Sequence, residues 1–216
     1  VWFDSGSMPY AQVHYPFENK AWFEANFPAD FIVEYVAQTR GWFYTLMVLS
    51  TMLFDRPPFR NAICHGVVLD ENRHKLSKRL RNYPDPLDFF DQYGSDVMRW
   101  FLISAPVLNG GDLLVPREGR EIASVQREAI APLMNAYAFF SLYANLEERA
   151  PQIITAADDA LDRYILTKTG ELAERVGAAL DGYDIPRAAR ETVSYFDALT
   201  NWYIRRSRAR FWGSED

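Results

Sequence analysis

Between Arg40 and Asp55 the chain carries no charged residue: GWFYTLMVLSTMLF. The stretch is too short to cross a bilayer and too apolar for an exposed helix, so it predicts a buried helix from about Gly41 to Phe54. Thr39 is the expected N-cap, and Asp55-Arg56-Pro57-Pro58 the stop. A short apolar run at Asp30–Tyr35 precedes the helix, and another at Asn61–Leu69 follows it. The second shows no alternation, as expected of a strand covered on both faces. Strand, buried helix and strand in this order predict a parallel α/β sheet.

The remaining elements follow from punctuation. Val1–Phe3 reads as a strand ending in the turn residues Asp4-Ser5-Gly6, and residues 9–29, aromatic, Pro-containing and aperiodic, as an ordered loop. Beyond the second strand, Leu87–Tyr93 reads as a short helix closed by Gly94, and Asp96–Ser104 as a helix capped by Ser95. Gly110-Gly111 marks a turn, and Leu113–Val115 a short strand. From Glu118 onward only helices are expected: to about Leu146, from after Ala156–Asp158 to near Gly182, and from Ile185 to about Phe211. Leu161, Ile165, Leu172, Val176 and Leu180 recur at helical spacing, as do Val193, Phe196, Leu199, Trp202 and Tyr203. The fold class is α/β followed by all-α, with the division between residues 1–116 and a helix bundle over 117–216.

Composition narrows the function classes. A net charge of −6 argues against indiscriminate coating of nucleic acid and leaves room for a local basic face. Cys64 is the single cysteine, which excludes a disulfide framework and a Cys-rich zinc site and makes a reducing, cytoplasmic setting the default. No basic-then-apolar leader opens the chain. Val1-Trp2-Phe3, with no initiator Met, reads as the interior of a longer protein.

The chemistry concentrates in HGVVLDENRHKLSKRLRNYPDP, residues 65–86. An apolar strand leads into a polar loop with Lys75 and Lys78 three apart and Ser77 between them. Mobile ammonium groups, a hydroxyl and loop N–H groups suit a polyphosphate, although such a loop is also compatible with a solvated basic turn. WFDSG at 2–6 and EYVAQTRGWFYTL at 34–46 lie upstream. Together, in this order, the three stretches resemble class I aminoacyl-tRNA synthetases, the isoleucine-specific members most closely. The tail NWYIRRSRARFW, 201–212, is similar to the start of that family's anticodon-binding domain.

The resemblance implies the second half of a Rossmann-like sheet, and ATP-dependent activation of isoleucine followed by transfer to tRNA(Ile) in the full-length protein. It implies that Lys78 stabilises the transition-state phosphates, Lys75 assists and Ser77 fixes the loop. Two residues depart from the family's K-M-S-K-S pattern. Leu76 conserves apolar volume, while Arg79 either adds charge beside the phosphates or is simply solvated. By the same resemblance His65 and Gly66 contact ATP, with Gly66 letting a flat ring approach, and Val67 and Val68 form an apolar floor. Glu34 and Gln38 face the aminoacyl-adenylate, and Trp2 and Trp42 wall the isoleucine pocket; ordinary core tryptophans are the alternative. Ala37 stands where the family commonly carries an Asp for the ribose, leaving that contact to a neighbour such as Glu34. Arg205, Arg206, Arg208 and Arg210 form an expected tRNA-facing run, or a set of cations favoured at a helix C-terminus.

Mg2+ is expected with ATP, and no metal ligands are recognised in the chain. The family's H-I-G-H strand, its editing insertion and most of its anticodon-binding region are not found in these residues, so the 216-residue piece is expected to be inactive alone. Two other readings stay open: a non-catalytic RNA-binding module derived from a synthetase, and the same chemistry with valine.

Overall fold

A computed structural model describes residues 1–83, 85–115, 119–146 and 152–212. Packing divides the chain into two compact units, one of residues 1–68 with 106–113, the other of 69–105 with 114–216. The division expected at 116/117 falls outside the described residues, as do Pro84 and Glu118.

The first unit is a parallel strand pair with its helices. Helices α1 (Trp2–Ala11) and α2 (Lys20–Asn26) precede strand β1 (Ala29–Tyr35); a 3-10 turn, Val36–Arg40, leads to helix α3 (Trp42–Phe54) and strand β2 (Phe59–His65). Strands β1 and β2 pair in parallel, from Ala29 opposite Phe59 to Tyr35 opposite His65. The strand, helix and strand read from the apolar patterning are therefore present. Strands β3 (Val68–Leu69) and β4 (Leu113–Leu114) are short; here the Leu113 N–H donates to the Val67 carbonyl at 2.8 Å.

Several expectations for this unit are corrected. Val1–Phe3 belongs to α1, not to a strand, and part of the expected loop at 9–29 is helical in α1 and α2. A short apolar run cannot be told from a helix by periodicity. Gly6 lets this helix pack closely on α3: an added Cβ would lie 2.8 Å from Leu49 Cδ1 and 3.1 Å from Thr45. Thr39 does not cap α3, since its hydroxyl donates to the Val36 carbonyl at 2.8 Å; the Gln38 side chain caps instead. Nor is α3 buried all round: it buries Phe43, Leu46 and Ser50 and exposes Tyr44, Met52 and Leu53. Asn61 and Ala62 on β2 are exposed too, against the expectation of a strand covered on both faces. The core is aromatic, with Phe23 stacked on Phe27 at 4.7 Å and Phe54 5.4 Å from Phe23.

In the second unit helix α4 (Pro86–Tyr93) is capped by Asp85, whose carboxylate accepts from the Leu87 N–H. Gly94 then takes the left-handed region (φ 84°), which favours glycine, and it rather than Ser95 occupies the cap position of α5 (Ser95–Ser104). Helices α6 (Arg120–Val125) and α7 (Ala131–Leu146) are joined by a π-helical turn at Gln126–Ile130. Asp159 caps α8 (Ala160–Asp181) by accepting from the N–H groups of Leu161 and Asp162. Asp184 caps α9 (Ile185–Asp197), with Pro186 in the first turn where its missing N–H costs nothing. A second π-helical segment, Ala198–Ile204, continues into α10 (Arg205–Trp212). Ile165, Ala179, Ala188, Ala189 and Phe196 are buried in this unit.

Candidate active site

In the first unit the expected site residues gather at one end of the sheet. Glu34 is opposite Cys64 and Tyr35 opposite His65, so the C-terminal ends of two parallel strands lie side by side. Ligands of open α/β sheets bind outside this end of the strands. Gln38 sits in the 3-10 turn that leaves β1, and Trp42 opens α3. The Trp42 backbone N–H donates to Gln38 Oε1 at 3.0 Å, and its indole N–H donates to the Ser5 carbonyl at 2.9 Å. Gln38 thus caps α3, and Trp42 ties α3 to α1 three residues beyond Trp2. Trp2 is 60% exposed and borders an apolar cleft of about 220 Å³ with Phe3, Tyr44, Thr45, Val48 and Leu49. Trp42 is not among the residues lining that cleft.

His65 ends β2 with its ring 5.9 Å from that of Tyr35; with its proton on Nδ1 it donates to the Gly66 carbonyl at 3.0 Å. Gly66 is buried, and its N–H donates to the Val107 carbonyl at 2.8 Å. A Cβ at this position would lie 1.9 Å from the Gly111 carbonyl oxygen. The space that a side chain at position 66 would take is thus filled by backbone of the Gly110-Gly111 turn. Val67 and Val68 are half-buried beside it.

The lysine loop belongs to the second unit. Asp70, only 6% exposed, follows the strand. Its Oδ1 accepts from the N–H groups of His74 (2.8 Å) and Asn72 (2.9 Å), and its Oδ2 accepts from Asn82 Nδ2 at 2.8 Å. The His74 backbone donor, with Asn82 and Asn72, holds this carboxyl below the usual carboxylate range despite its burial. Asn82 also reaches the loop itself: its Oδ1 accepts from the Ser77 N–H at 2.8 Å and its Nδ2 donates to the Lys75 carbonyl at 3.2 Å. Lys75, Lys78 and Arg79 are exposed and Ser77 half-buried. Lys78 and Arg79 make no ion pair or hydrogen bond among the described residues.

The arginine run of α10 is divided by its partners. Arg210 folds onto Asp162 in two hydrogen bonds of 2.8 Å each, and Arg206 lies over the Trp202 ring at 3.9 Å. Arg205 and Arg208 are exposed without a partner among the described residues. Of the four arginines expected to face tRNA, these two are the ones without a partner among the described residues.

Residues 1–113 match the family tRNA synthetases class I (I, L, M and V). The chain belongs to this family. Residues 162–216 of this class I synthetase match the anticodon-binding domain of tRNA ligases. It is 56% identical over 214 residues to isoleucine–tRNA ligases of Rickettsia canadensis and Rickettsia akari, matching 99% of this chain. The chain spans about a fifth of the length of those relatives (20% and 19%). Two solved structures share the fold. Methionyl-tRNA synthetase of Mycobacterium tuberculosis, in complex with methionyl-adenylate, superposes with a TM-score of 0.78 at 22% identity, covering 99% of this chain and 42% of that one. The LeuRS of Agrobacterium radiobacter K84, in a ternary complex with tRNA and LeuAMS, gives 0.71 at 17% identity, covering 92% and 26%.

The Asp70–Asn82 pair escaped the sequence reading. Its signal was present: an Asp directly after an apolar strand, with a turn beginning at the next residue, is the pattern of a carboxylate that accepts from nearby backbone N–H groups.

Proposed function

We propose that the full-length protein containing this segment is an isoleucine–tRNA ligase, activating isoleucine with ATP and transferring it to tRNA(Ile). The observation that carries this reading is 56% identity to isoleucine–tRNA ligases across 99% of the chain. In the activation step an isoleucine carboxylate oxygen bonds to the α-phosphorus, and the bond from that phosphorus to the bridging oxygen of pyrophosphate breaks. The nucleophile belongs to the substrate, so the protein positions reactants and stabilises charge on the leaving phosphates. Lys78, exposed and unpaired among the described residues, supplies that charge; Lys75 and Arg79 add to it, and Ser77 donates from the loop.

In this reading the C-terminal strand ends supply the remainder. His65, Gly66, Val67 and Val68 line the nucleotide side, and Glu34 and Gln38 face the adenylate, Glu34 taking the ribose in place of Ala37. Trp2 and Trp42, on the two helices joined by the Trp42–Ser5 hydrogen bond, flank the amino-acid side chain. Arg205 and Arg208 face the tRNA. Mg2+ enters with ATP as part of the substrate. Among the described residues no group of three or more His, Cys, Asp or Glu side chains is placed to hold a metal ion, and no step is assigned to one. No described helix is long and apolar enough to cross a membrane, and the proposed setting is the cytoplasm.

Lys78→Ala in the full-length protein tests the reading. Adenylate formation is expected to slow by about two to three orders of magnitude, the cost of one oriented charge-stabilising donor. The isoleucine dissociation constant is expected to stay unchanged, because the loop acts in the transition state. A weakened isoleucine affinity with an unchanged rate overturns the assignment.

A further inference from the structure

We propose that Asp70 and Asn82 are positioning residues for the lysine loop: one buried carboxylate and one amide together set the backbone that presents Lys75 and Lys78. The proposal rests on the reading of that loop as the phosphate-binding element.

The argument starts from the loop backbone. It turns through the left-handed region at two non-glycine residues, Arg73 (φ 63°) and Arg81 (φ 48°). Such conformations persist where surrounding contacts over-determine them. Here the Arg73 N–H donates to the Asp70 carbonyl and the Arg81 N–H to the Ser77 carbonyl, each at 2.9 Å. The first turn closes around the Asp70 carboxylate through the Asn72 and His74 N–H groups.

The Asn82 side chain secures the second stretch. Its amide oxygen holds the Ser77 N–H and its amide nitrogen the Lys75 carbonyl, so the backbone on both sides of Leu76 is gripped by one planar group. That group is itself anchored, because the same nitrogen donates to Asp70 Oδ2 at 2.8 Å. Asp70 is buried, while the lysines are exposed. The grip therefore leads from the interior of the unit to the loop whose Lys78 has no other described tether. Misplacing a reacting or stabilising group by about 1 Å costs on the order of a hundredfold in rate. Neither Asp70 nor Asn82 has to touch substrate for its loss to be felt in this way.

A double-mutant cycle in the full-length protein tests this. Adenylate formation is followed for Asn82→Ala, Lys78→Ala and the combination. Asn82→Ala is expected to lower kcat by about ten- to a hundredfold with the isoleucine KM unchanged. In the Lys78→Ala background the same change is expected to cost about threefold or less, because the group it positions is already gone. An equal cost in both backgrounds, or none in the first, overturns the proposal. A neutral Lys78→Ala overturns the phosphate reading of the loop, and the positioning role with it.

The exchanged pair keeps the test decisive if Asn82→Ala does not fold. Asn82→Asp sets two carboxylates against each other. Adding Asp70→Asn restores a donor between them and retains the acceptor for the Ser77 N–H, while the bond to the Lys75 carbonyl stays lost, so the recovery is partial. The exchanged pair is expected to recover at least about tenfold of the kcat lost in Asn82→Asp alone. No recovery in the exchanged pair overturns the proposal.

Discussion

The guanidinium of Arg210 meets the carboxylate of Asp162 in two hydrogen bonds of 2.8 Å, joining residues 48 apart in the chain. The Tyr203 hydroxyl donates to the same carboxylate at 2.7 Å, so α8, the π-helical segment and α10 converge on one acidic group. Asp162 lies in the first turn of α8, where negative charge is favoured by the helix dipole. Arg210→Ala leaves Tyr203 in place and removes a half-exposed partner, with an expected loss of about 1 kcal/mol. Asp162→Ala removes the acceptor for both donors and is expected to cost about 2 kcal/mol. Urea unfolding of the helical region followed by circular dichroism measures both, and midpoints equal to that of the unmodified chain would contradict this role for the pair.

The same group of residues sets a pH window. The Arg210 hydrogen bonds, with that of Tyr203, hold Asp162 below its ordinary value of 3.8. Its contribution to stability is present above the unfolded value and is lost as pH falls through the lower folded value. Burial, with the bond to Asp162, pushes Tyr203 up from 10.0 to about 12. That contribution is present below pH 10.0 and is lost as pH rises toward about 12. Stability is expected to fall below about pH 4 and above about pH 10. Tyr203→Phe, which has no phenol to ionise, is expected to weaken the alkaline decline and, by removing one of the bonds that hold Asp162 low, to reduce the acid limb to the part that Arg210 sustains. An unchanged alkaline limb in Tyr203→Phe would remove Tyr203 from this explanation.

Two glycines are expected to respond in opposite directions to the same substitution. Gly66→Ala drives a Cβ to within 1.9 Å of the Gly111 carbonyl oxygen, where backbone rather than a flexible side chain must yield. The expected cost is about 3 kcal/mol or more. Gly170→Ala, within α8, places its Cβ where nothing lies within 4 Å. Removing a flexible helix-interior glycine there is expected to add up to about 1 kcal/mol. Thermal unfolding of the two variants checks both signs.

Arg205 and Arg208 carry the RNA expectation, and salt dependence reads it directly. Replacing both with Ala in the full-length protein is expected to weaken tRNA binding and to flatten its log–log salt slope by roughly two. Adenylate formation is expected to stay unchanged. Removing Arg210 is instead expected to act mainly on stability, since its guanidinium is committed to Asp162. An unaltered salt slope in the Arg205/Arg208 variant would place the RNA surface elsewhere.

The parts legible in the sequence were those governed by local chemistry. The apolar run of α3 between its flanking strands, the glycine at 94 and the proline at 186 each report a backbone requirement confined to a few residues. The first helix was missed because Trp2 and Phe3 satisfy a strand pattern as well as a helical one, and its packing on α3 through Gly6 is a tertiary contact that no local pattern reports. Gln38 displaced Thr39 as the cap because its longer side chain reaches forward from the turn to the Trp42 N–H, a geometry that cap preferences do not encode. Exposure of Tyr44, Met52 and Leu53 on α3 shows the other limit, since all-round apolarity says that a surface favours cover without saying which residues supply it. Asp162 with Arg210 and Asp70 with Asn82 depend on three-dimensional pairing across 48 and 12 residues, beyond any periodic signal.

The central claim is that this lysine loop and strand-end site belong to an enzyme that activates isoleucine. Amino-acid-dependent exchange of pyrophosphate into ATP by the full-length protein tests it most directly, with isoleucine, valine, leucine and methionine compared side by side. The predicted result is strongest exchange with isoleucine and a weaker signal with valine, because one methylene in an apolar pocket is worth only about 1–3 kcal/mol, a limit for which isoleucine and valine on this class of enzyme are the standard example. Strongest exchange with another amino acid, or none with any of the four, would contradict it.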